Sequence, residues 1–434
     1  MSTQPGPGAW GWQYGELVLH SRQRLCPSPL APSSELHGGN RLAAARRLGC
    51  RPEQLLDASA SLVPFGPPAR LRRRLARLLA DGAALRDYPD RAYWDLRQAI
   101  ASHHGLDAEA VLPGNGAAEL FTWAARDAAA AGTSLLPTPG FADYRRALAC
   151  WGGRWQALPL PLDWTSAGPG PLPGLLSDGS TLSPDGPSLP PGPEDPPALS
   201  LPEPAGGLTV PPGSQVLWIT NPHNPSGQLW SRQALEPLLQ RFALVIVDEA
   251  FLPLVPGGDA QSLVPLLAQY PQLVVIRSLT KLLAIAGLRL GYALGDPARL
   301  ARWSGWRDPW PVNGLAAAAG DALLGDQRWL RRVQDWVARE GPWLQARLAA
   351  IPGLDPRPTA VNYLLLRGRR DGQALELEPL RLALEQRHRI LLRDCRSFEG
   401  LDGSWLRLAL QDRAGNRRLL AALGREWPGL RAGR

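Results

Sequence analysis

Residues 215–251 read QVLWITNPHNPSGQLWSRQALEPLLQRFALVIVDEAF. Two runs of strand length, QVLWIT (215–220) and ALVIVDEA (243–250), flank a stretch with helical spacing, and a third run, LVVIRS (273–278), follows. These strands are almost continuously apolar. Such strands need cover on both faces, and their alternation with helices predicts a mostly parallel sheet. Each run ends in polar residues: NPHNPSG (221–227), then Asp248-Glu249-Ala250-Phe251, then Ser278-Leu279-Thr280-Lys281. Ligands of open parallel sheets bind beyond the carboxyl ends of the strands. Asn, Asp and Lys are therefore expected on one rim.

The third run leads into RSLTKLLAIAGLRLGYALG (277–295), and Lys281 in that stretch is the only lysine among 47 Lys+Arg. A desolvated amine loses its proton and can bond to a carbonyl carbon as an imine. A guanidinium stays protonated and cannot. A chain that uses arginine at every other basic position is expected to keep lysine where amine chemistry is required. Asp248 has a matching logic. Pyridoxal phosphate needs a carboxylate against its ring nitrogen, so that the protonated ring withdraws electrons. Taken alone, an aspartate here serves equally as a helix N-cap.

Bulk properties exclude several other classes. The 434 residues carry a net charge of +8 and 44% hydrophobic residues, with no uninterrupted apolar run long enough to span a membrane. The start, MSTQPGPGAWGWQYGE, lacks the pattern of a secretion signal, so a cytoplasmic enzyme is expected. Cys26, Cys50, Cys150 and Cys395 are widely spaced, which fits neither a zinc site nor a disulfide framework. The densest basic cluster, ARLRRRLARLL (69–79), has leucines at helical spacing and reads as the solvated side of an amphipathic helix. No nucleic-acid or membrane partner is expected, and the charge suits a small anionic substrate.

Organisation follows from patterning. Residues 1–35 read as an irregular extension, and 36–310 as a large α/β domain. Within it, 158–213 is dense in Pro, Gly and Ser and is expected to be a surface excursion without a packed core. Residues 311–434 read as a small α+β domain: a long helical region over 312–350, then VNYLLLRG, a helix near 375–387, RILLRDC and SWLRLAL. A cleft between the domains is the natural ligand site.

In their order, NPHNPSG, VDEAF, SLTK and GLRLGY resemble fold-type I pyridoxal-phosphate enzymes of the aspartate aminotransferase superfamily. The resemblance spans roughly residues 37–425 outside the Pro-rich stretch. HGGN (37–40), YPD (88–90), PGNGAAELF (113–121), TPGFADY (138–144) and RSLTKLLAIAGLRLGY are most similar to the L-threonine-O-3-phosphate decarboxylase branch, which neighbours the histidinol-phosphate aminotransferases. That branch decarboxylates L-threonine O-3-phosphate to the aminopropanol phosphate of the cobalamin nucleotide loop. The resemblance implies a seven-stranded sheet, pyridoxal 5'-phosphate as cofactor and a homodimer. It implies that Lys281 bonds the cofactor, Asp248 pairs with its ring nitrogen and Asn224 meets its 3-oxygen. Ser278, Arg289 and the backbone at Gly116, Ala117 and Ala118 would cradle its phosphate, with Phe141 stacked on the ring. Tyr88 would reach the phosphate from the second subunit. Arg393, Arg407 and His37 would bind substrate.

The chain departs from the pattern in two respects. Phe251 stands where many aminotransferases have a tyrosine that donates to the 3-oxygen, so more falls to Asn224. Ala117 and Ala118 replace side chains that often reach the phosphate, leaving their backbone. The same residues serve a transaminase, so an aminotransferase is the alternative reading. A cofactor-binding regulator without catalysis is a third, and the short irregular start does not suit its usual DNA-binding domain.

Overall fold

The computed structural model describes residues 38–166, 168, 199–200, 209–210 and 214–431. His37, the 1–35 extension and most of the 158–213 stretch lie outside the described residues. The first part of that stretch is built into the molecule. Strand Trp155–Pro159 runs into it, and Leu158, Leu160 and Trp164 are buried.

The three apolar runs form adjacent parallel strands, Ser214–Thr220, Leu244–Asp248 and Leu273–Ser278. They sit at the centre of a seven-stranded sheet. Thr133–Thr138 and Trp155–Pro159 continue it in parallel on one side. On the other side Gly291–Gly295 runs antiparallel to Leu273–Ser278 and to the edge strand Val111–Gly114.

Alternation along the central strands feeds two separate cores. Val216, Trp218, Ile246, Val274 and Ile276 meet helices Ala117–Ala131 and Asp143–Ala149, while Leu217, Ile219, Val245, Val247 and Val275 belong to the core on the opposite face. Both faces are therefore dry, which is why these strands carry almost no polar residue.

The smaller domain is a six-stranded sheet ordered Leu56–Ala58, Ile390–Asp394, Trp405–Ala409, Tyr363–Arg370, Leu354–Pro356, with Gln373–Ala374 attached to Tyr363–Arg370. The expected division at residue 310 needs one amendment: Leu56–Ala58 pairs in parallel with Ile390–Leu392, so the start of the chain crosses into the smaller domain. The region 312–350 is not one helix. It breaks after Gly314–Ala319 at Gly320 and Gly325, both at positive φ, and resumes as Gln327–Ala349. Glycine adopts that conformation without the Cβ clash other residues suffer.

Candidate active site

The carboxyl ends of the central strands open into a cavity of about 290 Å³ between the two domains. Of the residues singled out in the sequence, Lys281, Asp248, Asn224, Ser278, Arg289, Gly116, Ala117, Ala118, Phe141, Arg393 and Arg407 all line it. Phe251 lines it too. Tyr88 does not. Its ring is 79% exposed on this chain and stacks on Trp310, with centroids 4.4 Å apart.

Backbone hydrogen bonds place the rim residues. Asn221 N–H donates to Asp248 O at 2.9 Å, tying the first strand end to the second, and Glu249 N–H donates to Ile276 O at 2.9 Å, tying the second to the third. The Asn221 side chain closes the following loop by bonding both the N–H and the C=O of Trp230. Asn224, within that loop, is delivered to the cavity.

Asp248 is 6% exposed. Its Oδ1 accepts from Ala250 N–H at 2.9 Å and its Oδ2 from the Tyr144 hydroxyl at 2.6 Å. The Tyr144 oxygen also lies 2.8 Å from Thr220 Oγ1. Burial pushes the Asp248 carboxyl up to about 6, against the downward pull of Tyr144, Ala250 N–H and Lys281. The Lys281 amine goes the other way. It is pushed down to about 8 by desolvation first, then by the charges of Arg407 and Arg289, with Asp248 opposing. Lys281 keeps some surface open to the cleft, and its Nζ lies 5.8 Å from the centre of the Phe251 ring. A reactive amine and a buried carboxylate thus share one cavity.

An anion cradle completes the floor. Gly116 precedes helix Ala117–Ala131, whose first N–H groups have no partner within the helix and favour negative charge. Arg289 lies against it, since a Cβ on Gly116 would stand 2.5 Å from Arg289 Nη2. A Cβ on Gly291 would stand 2.7 Å from Ala117 N, so that glycine keeps the approach open. Ser278 Oγ is 2.7 Å from Thr280 Oγ1 beside it.

The roof comes from the smaller domain. Arg393 and Arg407 are register partners on adjacent strands, and both are buried. Arg407 Nη1 donates to Asn224 Oδ1 at 2.6 Å and Nη2 to Ser59 O at 3.3 Å, and Arg393 Nη2 donates to Ser397 Oγ at 2.5 Å. A buried arginine without a carboxylate partner is costly unless an anion arrives. Among the described residues Arg407 is such a case: burial lowers its proton affinity and no carboxylate there opposes it.

Sequence reading assigned no role to Tyr144, Thr220, Thr280, Ser59 or Ser61. Tyr144 sits within the quoted TPGFADY, so the only signal was its neighbourhood. His104 and His223 are bonded to the Tyr292 hydroxyl and to Ser226 Oγ, and burial lowers both to about 3.

The chain is similar to known proteins along most of its length. The sequence model described as "Aminotransferase class I and II" matches residues 207–423. Threonine-phosphate decarboxylase of Salmonella typhimurium is 35% identical over 405 residues, 91% of this chain and 97% of the relative. Histidinol-phosphate aminotransferase of Symbiobacterium thermophilum is 31% identical over 366 residues, 83% of this chain and 87% of the relative. Among solved structures, histidinol-phosphate aminotransferase from Sinorhizobium meliloti, in complex with pyridoxal-5'-phosphate, aligns with a TM-score of 0.71. It is 22% identical, with 95% of this chain and 99% of that chain covered, and this likeness speaks for the fold.

Proposed function

The chain belongs to the class I and II aminotransferase family, and from that premise we propose that it is a pyridoxal-phosphate-dependent decarboxylase of L-threonine O-3-phosphate. The observation that carries the reading is one cavity holding the chain's only amine side chain, a buried carboxylate, an anion cradle and two buried arginines. The similarity to a threonine-phosphate decarboxylase along nearly the whole of both chains supports it.

The residues present fit the cofactor. The N–H groups opening helix Ala117–Ala131, with Ser278 and Arg289, offer the donors a phosphate dianion needs. Asp248, buried and held by Tyr144, suits a protonated ring nitrogen, and Asn224 the ring oxygen. Phe251 offers that oxygen no donor. Phe141 supplies an aromatic wall. When bound, pyridoxal phosphate supplies an aldehyde for amines and a ring that takes up the electron pair left as CO2 departs.

The chain's own groups divide the rest of the work. Arg407 is the larger positive influence on Lys281 and is pinned to Asn224. It therefore suits the substrate carboxylate, which is one bond from the amine-bearing carbon. Arg393, held by Ser397, suits the phosphate farther out. Lys281, an amine lowered to about 8 within the cavity, would accept one proton near neutral pH and return it to the carbon that has lost CO2. The products are then CO2 and (R)-1-amino-2-propanol O-phosphate, the unit used in cobalamin assembly. Tyr88, exposed on this chain, would contact the cofactor phosphate of a second subunit, which requires a homodimer.

The test uses carboxyl-labelled L-threonine O-3-phosphate with no 2-oxo acid present. The reading requires stoichiometric labelled CO2 and the phosphorylated amino alcohol. Retained label, or turnover only with an added 2-oxo acid, assigns the chain to transamination, the activity named for its histidinol-phosphate relatives.

A further inference from the structure

Ser61 is 4% exposed, it lines the cavity beside Arg393 and Arg407, and among the described residues its Oγ has no hydrogen-bond partner. An unpaired buried hydroxyl is costly to keep. Its neighbour shows the contrast. Ser59 Oγ donates to Asp57 Oδ1 at 2.6 Å and accepts from Gly39 N–H at 2.9 Å, while Ser59 O accepts from Arg407. The turn is thus fixed by Ser59, while Ser61, a residue lining the cavity, keeps an unpaired hydroxyl.

The sheet order decides which part of a ligand it meets. Strand Leu56–Ala58 lies beside Ile390–Asp394, with Ala58 opposite Leu392, and Trp405–Ala409 lies on the far side. The turn that follows Ala58 therefore emerges on the Arg393 side of the sheet, from where Ser59 O still reaches Arg407. Resting on the decarboxylase reading above, we propose that the Ser61 hydroxyl donates to the substrate's phosphate alongside Arg393, making it a specificity residue for phosphorylated over free amino acids.

The experiment measures affinity of the holoenzyme for L-threonine O-3-phosphate and for L-threonine, by calorimetry or by the cofactor absorbance change. It compares the parent with Ser61→Ala and Ser61→Thr. Ser61→Ala should weaken the phosphorylated ligand about tenfold or more, as expected for a hydrogen bond to a charged group, and L-threonine by less than about twofold. Ser61→Thr, which keeps the hydroxyl, should recover most of the loss. Without ligand, the melting temperature of Ser61→Ala should match or exceed the parent's, because no partner is lost. Equal weakening of both ligands, unchanged phosphate affinity, a parent without preference for the phosphorylated ligand, or a lower melting temperature would overturn the assignment. The decarboxylase reading fails separately, when a parent that shows this selectivity releases no CO2.

Discussion

Lys281 and Asp248 are displaced from their ordinary proton affinities in opposite directions, and burial is the leading cause for both. For cofactor-free protein the signs follow from linkage. Between about 8 and 10.5 the unfolded chain holds a proton on Lys281 that the folded chain has lost, so stability rises with pH there. Between 3.8 and about 6 the folded chain holds a proton on Asp248 that the unfolded chain has lost, so stability falls with pH. Because Lys281 is the chain's only lysine, its titration can be read by mass. Reductive methylation of cofactor-free protein with formaldehyde should accelerate about tenfold per pH unit and level off near 8. Acceleration continuing beyond pH 10 would mean that the amine is solvated. Tyr144 acts through Asp248. Tyr144→Phe should leave the fold intact, weaken cofactor retention about tenfold, and shift the pH dependence of the cofactor band. Dialysis followed by absorbance titration measures both, and parent-like values would reduce Tyr144 to packing.

At the scale of elements, the junction between strand Val111–Gly114 and helix Ala117–Ala131 is where the proposed phosphate cradle meets backbone strain. Gly116 has φ +77, and any side chain there would displace Arg289. Gly116→Ala should cost about 1–3 kcal/mol of stability and lose more cofactor affinity than Arg289→Ala alone, as thermal melting and cofactor titration would show. The central strands were legible from sequence because burial on both faces makes their apolar runs continuous, and the polar residues ending each run announced the rim. Leu56–Ala58 was not, since a three-residue edge strand carries no periodicity and its partner lies more than 300 residues away. Tyr144 and Ser61 stayed silent for a related reason. Their importance comes from contacts or vacancies set by long-range packing, which leave no local pattern. The glycines that divide 312–350 were visible as residues, but only backbone geometry distinguishes a helix break from a tolerated glycine.

At the scale of the molecule, the chain presents the cavity between its two sheets and carries Tyr88 exposed on its surface, stacked on Trp310. If Tyr88 serves a partner's site, mixed dimers of Tyr88→Ala and Lys281→Ala chains should recover activity that neither variant shows alone. Each such dimer pairs one intact lysine site with one intact tyrosine. Activity no greater than the sum of the separate variants would remove Tyr88 from the site. No helix among the described residues is long and apolar enough to cross a membrane. The most direct measurement reduces the cofactor-loaded protein with borohydride, digests it and weighs the peptide containing residue 281. The account predicts loss of the visible band together with a single cofactor-sized mass on Lys281. Reduction that leaves Lys281 unmodified, or a Lys281→Ala chain that still forms the band and turns over substrate, would contradict it.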